Sequence, residues 1–127
     1  MIAVLPMNHP LAKEKALSLD RLTNDTFILM DEGLYNTTLE AFRKKQLKPA
    51  VEYVIYDDYS IISMVRNGLG ISTLFRNVME GFEDGLSIHE IEEPIERTIC
   101  LARRKDKALS YAAEKFRLLT VRELNEI

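Results

Sequence analysis

The chain has 127 residues, 46% of them hydrophobic and 29% charged, which is the size and balance of one globular domain with a single core. Its 17 basic and 20 acidic residues give a net charge of -3 without a basic run that would track a phosphate backbone, so the chain itself is not expected to bind nucleic acid. Charges interrupt every apolar stretch before the roughly 18 residues of a membrane span, and residues 1–10 lack a secretion leader, which predicts a cytoplasmic protein with no membrane partner.

The first third of the chain contains two predicted strands and a helix. Residues 2–5 form a short apolar run ended by Pro6, and residues 26–30 (TFILM) form a second run suited to a strand covered on both faces. Residues 18–22 favour a helical turn between them. Thr37 and Glu40 have the spacing of a capping box, so a helix is expected to start near Thr38.

The middle of the chain repeats this alternation of strand and helix. Residues 51–55 (VEYVI) are rich in β-branched and aromatic side chains, and a capped helix is predicted to follow the acidic pair at 57–58. Gly68 suits the left-handed turn that ends a helix, after which residues 70–75 (GISTLF) resume as a strand. This order predicts an α/β fold with a mainly parallel sheet and helices on both faces.

The last third is less regular. Residues 82–85 predict a turn, residues 86–91 alternate as an edge strand, and Pro94 ends that strand. Residues 97–102 (RTICLA) predict a last strand, without an obvious neighbour. Apolar residues then repeat at helical spacing over residues 109–124, which predicts an amphipathic helix.

Residues that could carry out catalysis or bind metal are sparse. His9 and His89 lack acidic or cysteine neighbours at ligand spacing, which favours structural roles, and the neighbours of Cys100 favour a buried thiol. There is no Gly-rich phosphate loop and no nucleophile elbow. We therefore expect no catalytic residues, no metal and no cofactor, and thus no enzyme; acidic pairs such as 31–32 are more typical of solvated helix caps than of acid and base catalysts.

Four stretches, in order and spacing, resemble the effector-binding domain of LysR-type transcription regulators. They are VLPMNHPLA at 4–12, LSLDRLTNDTFILM at 17–30, DYSIISMVRNGLGISTLF at 58–75 and RTICLARRKDKALSYAAEKF at 97–116. Each motif alone is weak, but together they cover nearly the whole chain. The sequence departs from the family at Phe75, where proline is usual.

The resemblance implies a lobe similar to type-two periplasmic binding proteins, in which two α/β lobes close over a small effector. It implies a partial effector-binding domain over 1–127: an outgoing hinge strand at 1–5, the second lobe at 6–96, a returning hinge strand at 97–103, and a terminal helix at 104–127 that belongs to the first lobe. The sheet of the first lobe and the helix-turn-helix would then lie outside this sequence. Operator DNA would be bound only through that absent N-terminal domain, with the effector modulating DNA binding and transcription by the full-length protein.

Two corners of the predicted sheet are candidate effector contacts, because ligands bind beyond the carboxyl ends of strands where helix N-termini offer free donors. One corner, residues 30–37, follows TFILM and the other, residues 56–60, follows VEYVI, and the resemblance implies that both face the cleft. The candidate effector-binding residues are Asp31, Glu32, Tyr35, Asn36, Thr37, Asp58, Tyr59, Ser60 and, as an apolar wall, Phe75. Thr37 has a second interpretation as a purely structural cap.

The charge of the effector stays open at this stage. Helix N-termini favour anions, whereas Asp31 and Glu32 would repel a carboxylate and suit an amine or hydroxyl group. A small polar metabolite, weakly anionic or zwitterionic, satisfies both. Two other functions remain open: a transport receptor of the same fold, which would need an export signal, and a small enzyme using the acidic pairs. Exposed apolar residues of the terminal helix predict self-association as a dimer or larger oligomer.

Overall fold

The structure is a computed structural model that describes residues 1–125. The chain divides into two compact units, Met1–Arg97 and Thr98–Ile127, which are treated separately. The first unit contains six strands and three helices: β1 (Ile2–Pro6), β2 (Ala16–Leu17), β3 (Thr26–Met30), α1 (Thr37–Lys44), β4 (Ala50–Ile55), α2 (Asp58–Arg66), β5 (Ser72–Leu74), α3 (Arg76–Met79) and β6 (Leu86–Ile91). Single turns of 3-10 helix occupy Pro10–Lys13 and Leu19–Leu22.

The strands form a mostly parallel layer. The four-stranded sheet has the order β2-β6-β1-β5, and β3 pairs in parallel with β4. A parallel bridge between Phe27 and Ile71 connects the β3 and β5 regions, with Ile28 donating to the Ile71 carbonyl at 2.8 Å. Only β1 is antiparallel to its neighbours, so five of the six strands point the same way. The predicted mainly parallel α/β fold is therefore confirmed.

Residues 86–91 form a strand as predicted, but the expectation of an edge position is wrong. Strand β6 lies between β1 and β2, and β2 contributes the pairs Ala16 with Glu90 and Leu17 with Ile91. A strand of two residues is too short to show the alternation by which sequence reasoning finds strands. The sequence pattern therefore gave no sign of β2, the outer neighbour of β6.

Side chains of the central strands alternate between two buried clusters, one on each face of the sheet. Ala3 and Leu5 face the cluster that contains Phe27 and Phe42 of α1, whose rings meet edge to face with centroids 5.7 Å apart. Ile2, Val4 and Ile28 point the opposite way, toward Ile61, Ile62 and Val65 of α2. Because α1 and α2 cover opposite faces, the predicted placement of helices on both faces is confirmed.

The corner between α2 and β5 follows the predicted glycine pattern. Gly68 has φ +76° just after the helix, the left-handed conformation that ends helices. Gly70 is required for a different reason: a Cβ there would lie 2.5 Å from the carbonyl oxygen of Thr26. The two glycines thus end the helix and let the chain pass close against β3.

The second unit contains α4 (Tyr111–Asn125), which confirms the predicted terminal helix with a start two residues later. Ser110 caps it, because its hydroxyl accepts from the Ala113 N–H at 3.2 Å. Tyr111, Phe116 and Leu119 are all exposed. No helix among the described residues combines the length and apolar character needed to cross a bilayer.

Two expectations for residues 97–102 are wrong. These residues form no strand, since no strand of the described chain pairs with them. An apolar β-branched run becomes a strand only when a neighbour satisfies its backbone groups. Without that neighbour the segment is exposed, and Cys100 is an exposed thiol rather than the expected buried one. The role of residues 97–103 as a returning hinge stays a prediction.

Candidate functional site

A cavity of about 260 Å³ opens beyond the carboxyl ends of β3 and β4. Its polar lining is supplied by Asp31, Glu32, Asp58, Thr73 and Arg97, and its apolar lining includes Tyr56, Phe75 and Val78. The chain enters a helix soon after each of the two strands, at Thr37 and at Asp58. This is the position at which ligands bind in parallel α/β sheets.

The loop from β3 to α1 is held by its own acidic and amide side chains. Asp31 accepts from the Gly33 N–H at 2.7 Å, where Gly33 has φ +80°. Glu32 accepts from the Thr37 N–H at 2.6 Å. The Asn36 side chain donates to the Met30 carbonyl at 2.7 Å and accepts from the Leu39 N–H at 3.0 Å. These contacts tie the end of the strand to the first turn of the helix.

The predicted capping box of Thr37 and Glu40 is wrong. The N-cap is Asn36. Its side-chain amide accepts from a backbone N–H of the helix and donates to a backbone carbonyl of β3, two bonds that the shorter threonine hydroxyl is less able to span. Glu40 pairs instead with Arg43 at 2.7 Å on the exposed face. Hydrogen bonding to this guanidinium lowers the pKa of Glu40. Glu32 takes the role of the carboxylate at the helix start.

The start of α2 carries two carboxylates in different environments. Asp57 caps the helix by accepting from the Ser60 N–H at 2.8 Å and the Ser60 hydroxyl at 2.6 Å. These hydrogen bonds lower the pKa of Asp57. Asp58 lines the cavity, and its partial burial, together with the charge of Asp57, raises the pKa of Asp58 despite the opposing effect of Arg97. Capping and cavity lining are thus divided between adjacent residues.

Arg97 is the guanidinium of the cavity. Its central carbon lies 4.2 Å from the centroid of the Phe75 ring, a cation–π distance. Its Nη1 lies 3.6 Å from Oε1 of Glu32, which is longer than the roughly 2.7–2.9 Å of a direct charged hydrogen bond. The Arg97 side chain is 49% exposed and that of Glu32 is 12% exposed. The cation is therefore oriented by the ring and remains open to the cavity.

Four of the nine predicted effector-binding residues line this cavity: Asp31, Glu32, Asp58 and Phe75. The other five lie off it: Asn36, Thr37 and Ser60 hydrogen bond at the starts of the two helices, Tyr35 is exposed, and Tyr59 packs its ring 4.9 Å from that of Phe82.

Sequence reasoning missed two polar residues of the cavity, Thr73 and Arg97, and it placed Tyr56 at the second corner without naming it as an effector contact. Tyr56 directly follows β4, so the rule that selected the strand ends also pointed to it. Thr73 is buried in β5 and its hydroxyl lies 2.9 Å from that of Thr38. Arg97 comes from a segment far along the chain that was expected to be a strand, and no local pattern places it beside Phe75.

A larger cavity, of about 410 Å³, lies within the second unit. Its lining includes the apolar residues Leu101, Leu109, Phe116 and Val121. Arg117 also borders it, but this guanidinium already pairs with Glu114 at 2.5 Å. The smaller cavity is the candidate site, because several polar groups converge there.

Neither histidine contributes to the cavity. His9 accepts from the Leu11 N–H at 3.2 Å and contacts Asp25 at 3.2 Å, and the buried His89 contacts Ser87 and the Glu14 carbonyl. Both therefore have structural roles. Among residues 1–125 no three His, Cys, Asp or Glu side chains gather into a group that would hold a metal ion.

A mostly parallel sheet with helices on both faces and a polar cavity at its strand ends defines a small-molecule-binding lobe. A family model described as the LysR substrate binding domain matches residues 1–125. The chain therefore belongs to the LysR substrate-binding domain family, as its motifs predicted.

Curated relatives of the chain are transcription regulators. The HTH-type transcriptional activator CmpR of Synechocystis sp. is 32% identical over 121 residues, covering 91% of this chain and 40% of CmpR. The transcriptional dual regulator GltC of Bacillus subtilis is 30% identical over 118 residues, covering 90% of this chain and 39% of GltC. The chain thus spans about two fifths of these relatives.

Solved structures share the fold. The effector binding domain of QuiR in complex with shikimate has a TM-score of 0.83 at 24% identity, with 96% of this chain and 59% of that chain covered. The Synechocystis CcmR regulatory domain in complex with 2-PG has a TM-score of 0.80 at 26% identity, covering 93% and 59%. These neighbours confirm the predicted fold of a periplasmic-binding-protein-like lobe.

Proposed function

We propose that this chain is the ligand-sensing part of a LysR-type transcription regulator, and that the cavity at the ends of β3 and β4 binds its small-molecule effector. The observation that carries the proposal is the convergence of Asp31, Glu32, Asp58 and Arg97 on one cavity of about 260 Å³. A few convergent polar groups in a concave site are typical of small-molecule binding. The CcmR regulatory domain solved with 2-PG, a relative in fold at 26% identity, supports it.

The contacts around the cavity suggest how binding would be transmitted. Asp31 and Glu32 hold the loop that starts α1, and Asp58 is the first residue of α2. An effector that contacts these side chains changes the relative free energies of the arrangements that the two helices can adopt. In the full-length protein this would alter DNA contacts made by a part outside this chain.

The nine predicted residues divide into two roles in this proposal. Asp31, Glu32, Asp58 and Phe75 contact the effector, together with Tyr56 and Arg97. Asn36, Thr37 and Ser60 hold the helix starts that present them, while Tyr35 and Tyr59 flank the cavity without lining it. The lining and the hydrogen bonds described above support this division.

The test is an NMR titration of the ¹⁵N-labelled chain with 2-PG and a panel of small polar metabolites. Binding should shift the amides of Asp31, Asp58 and Phe75. Phe75→Ala should weaken binding about tenfold, the scale expected for a buried aromatic contact. The matched control is Phe82→Ala, which removes a ring that packs on Tyr59 outside the cavity and should leave the affinity unchanged. Shifts confined to residues outside the cavity would refute the site.

We also propose that the chain binds rather than transforms its ligand, acts in the cytoplasm and contacts no operator DNA itself. The regulators among its relatives support the first statement. A gel-shift assay of the chain with its promoter DNA should show no complex, in keeping with its net charge of -3. A sequence-specific complex would contradict this.

We also propose that the chain self-associates through α4. Its exposed apolar side chains include Phe116, Leu119 and Leu124, and contiguous exposed apolar surface favours a partner surface. Sedimentation should show a dimer or larger oligomer that Phe116→Ser with Leu119→Ser dissociates. Arg122→Ser on the same helix is the control. A monomer at high concentration would exclude this interface.

A further inference from the structure

The charges of the cavity are unequally satisfied. Glu32 accepts from the Thr37 N–H at 2.6 Å and lies 3.6 Å from Arg97, so its carboxylate has both a hydrogen bond and a nearby cation. Asp31 accepts from the Gly33 N–H at 2.7 Å. Asp58 differs from both. Among residues 1–125 its carboxylate has neither a hydrogen bond nor an ion pair, although it is partly buried at the cavity wall.

The unpaired Asp58 is electrostatically unfavourable as it stands. Burial and the neighbouring Asp57 both raise its pKa, the charge of Arg97 offsets part of this, and Glu32 adds to the repulsion. A ligand group that donates hydrogen bonds and carries positive charge would relieve this. An ammonium group does both, because it offers three donors and no acceptor.

Arg97 presents the opposite requirement. The guanidinium carbon lies 4.2 Å from the centroid of the Phe75 ring, and Glu32 is too distant to form a close two-point hydrogen bond with Arg97. A guanidinium has five donors arranged in a planar fork that matches a carboxylate. The half-exposed guanidinium therefore has donors available for a ligand carboxylate.

We propose that the effector is a zwitterion of the amino-acid type, whose carboxylate pairs with Arg97 and whose ammonium group pairs with Asp58 in the same cavity. This inference rests on the proposed function of that cavity. An effector with anionic groups alone would face Asp31, Glu32 and Asp58 against one cation. A simple amine would leave the donors of Arg97 unused. Only a ligand with both charges satisfies Asp58 and Arg97 together.

The experiment compares three forms of each ligand against the whole chain by NMR titration. The twenty common amino acids are tested first; each binder is then compared with its N-acetyl derivative, which lacks the ammonium charge, and with its decarboxylated amine. Each modified form should bind about tenfold more weakly than the parent amino acid, because it leaves one charged group of the cavity without its partner. Shikimate and 2-PG serve as purely anionic probes.

Two variants test which side chain contacts the ammonium group of the ligand and which contacts its carboxylate. Asp58→Asn should weaken amino-acid binding about tenfold. It should not weaken binding of the N-acetyl derivative, which has no ammonium group and is repelled by the Asp58 carboxylate. Arg97→Gln should weaken both compounds, since both carry the carboxylate. Exposed residues outside the cavity provide matched controls, Glu83→Gln and Lys44→Gln, which should change neither affinity. A dispersed ¹⁵N spectrum checks that each variant is folded.

The outcomes separate this inference from the proposed function. If shikimate or 2-PG binds at the cavity more tightly than every amino acid, the zwitterion is wrong while effector binding stands. Amino-acid affinities that are insensitive to both variants would also overturn it. If no probe of any class shifts the cavity amides, the proposed function itself fails.

Discussion

Phe42 of α1 is fully buried, whereas Phe116 of α4 is 62% exposed, although both helices carry apolar residues at helical spacing. In Met1–Arg97 the helices α1 and α2 each cover one face of a sheet. In Thr98–Ile127 the large apolar side chains of α4 that the structure describes are exposed instead. The difference teaches that a periodic pattern specifies a helix, while the energy of burying its apolar side depends on a covering layer that the pattern does not supply.

The largest expected effect is a cavity made in the first unit. Phe42→Ala removes a ring that is 0% exposed and packs edge to face on Phe27. We expect the free energy of unfolding to fall by about 3–5 kcal/mol, the range for deleting a buried aromatic ring. Urea denaturation followed by circular dichroism measures this. A loss below about 1 kcal/mol would mean that removing this buried ring costs no more than a typical surface substitution, and that the first unit is not tightly packed around Phe42.

The next effect concerns the close contact at Gly70. Gly70→Ala places a methyl group 2.5 Å from the Thr26 carbonyl oxygen, a backbone atom that cannot rotate away. We expect a loss of about 1–3 kcal/mol from overpacking. Gly81→Asn is the control, since Gly81 has open space and φ +83°, which asparagine tolerates. Equal losses in both variants would show that the close contact with the Thr26 carbonyl is not what makes Gly70→Ala destabilising.

The contrast between the units also marks what the sequence could predict. The strands at 26–30 and 51–55 and the glycine corner were predictable because each depends on neighbours within a few residues. The missing strand at 97–102 and the exposed Cys100 were not, because pairing depends on a partner that local composition does not reveal.

The cavity residues show the same contrast between features that local sequence predicts and features that depend on tertiary packing. Asp31, Glu32 and Asp58 were found because they follow strands whose ends meet at one edge of the sheet. The Asn36 cap was missed because Thr37 and Glu40 offered a competing local pattern. Arg97 was missed because only tertiary packing brings it to Phe75.

A smaller pair of effects is expected from the two adjacent carboxylates at the start of α2 in the well-packed first unit. The pKa of Asp57 is lowered, so its ionised form stabilises the fold above its unfolded pKa, and this is lost as the pH falls through the folded pKa. Asp57→Ala should therefore lower the melting temperature by a few degrees at neutral pH, and by less in acid.

Asp58 should behave in the opposite way. Its pKa is raised, so its ionised form is disfavoured in the folded state, and Asp58→Asn should raise the melting temperature slightly at neutral pH. The gain should vanish as the pH falls below the unfolded pKa, where both states are protonated. Thermal melts across the acid range measure both variants. A gain from Asp57→Ala or a loss from Asp58→Asn would reverse the roles assigned to the two carboxylates.

The smallest effect is expected from Phe116→Ala, the counterpart of Phe42→Ala in the second unit. With 62% of the side chain exposed, truncation should change the free energy of unfolding by no more than about 0.5 kcal/mol in dilute solution. The same variant tests self-association, because a partner that covers α4 stabilises the folded chain by mass action. The loss should then grow with protein concentration. A large loss that is independent of concentration would instead mean that Phe116 is covered within its own chain, and the contrast with Phe42 would disappear.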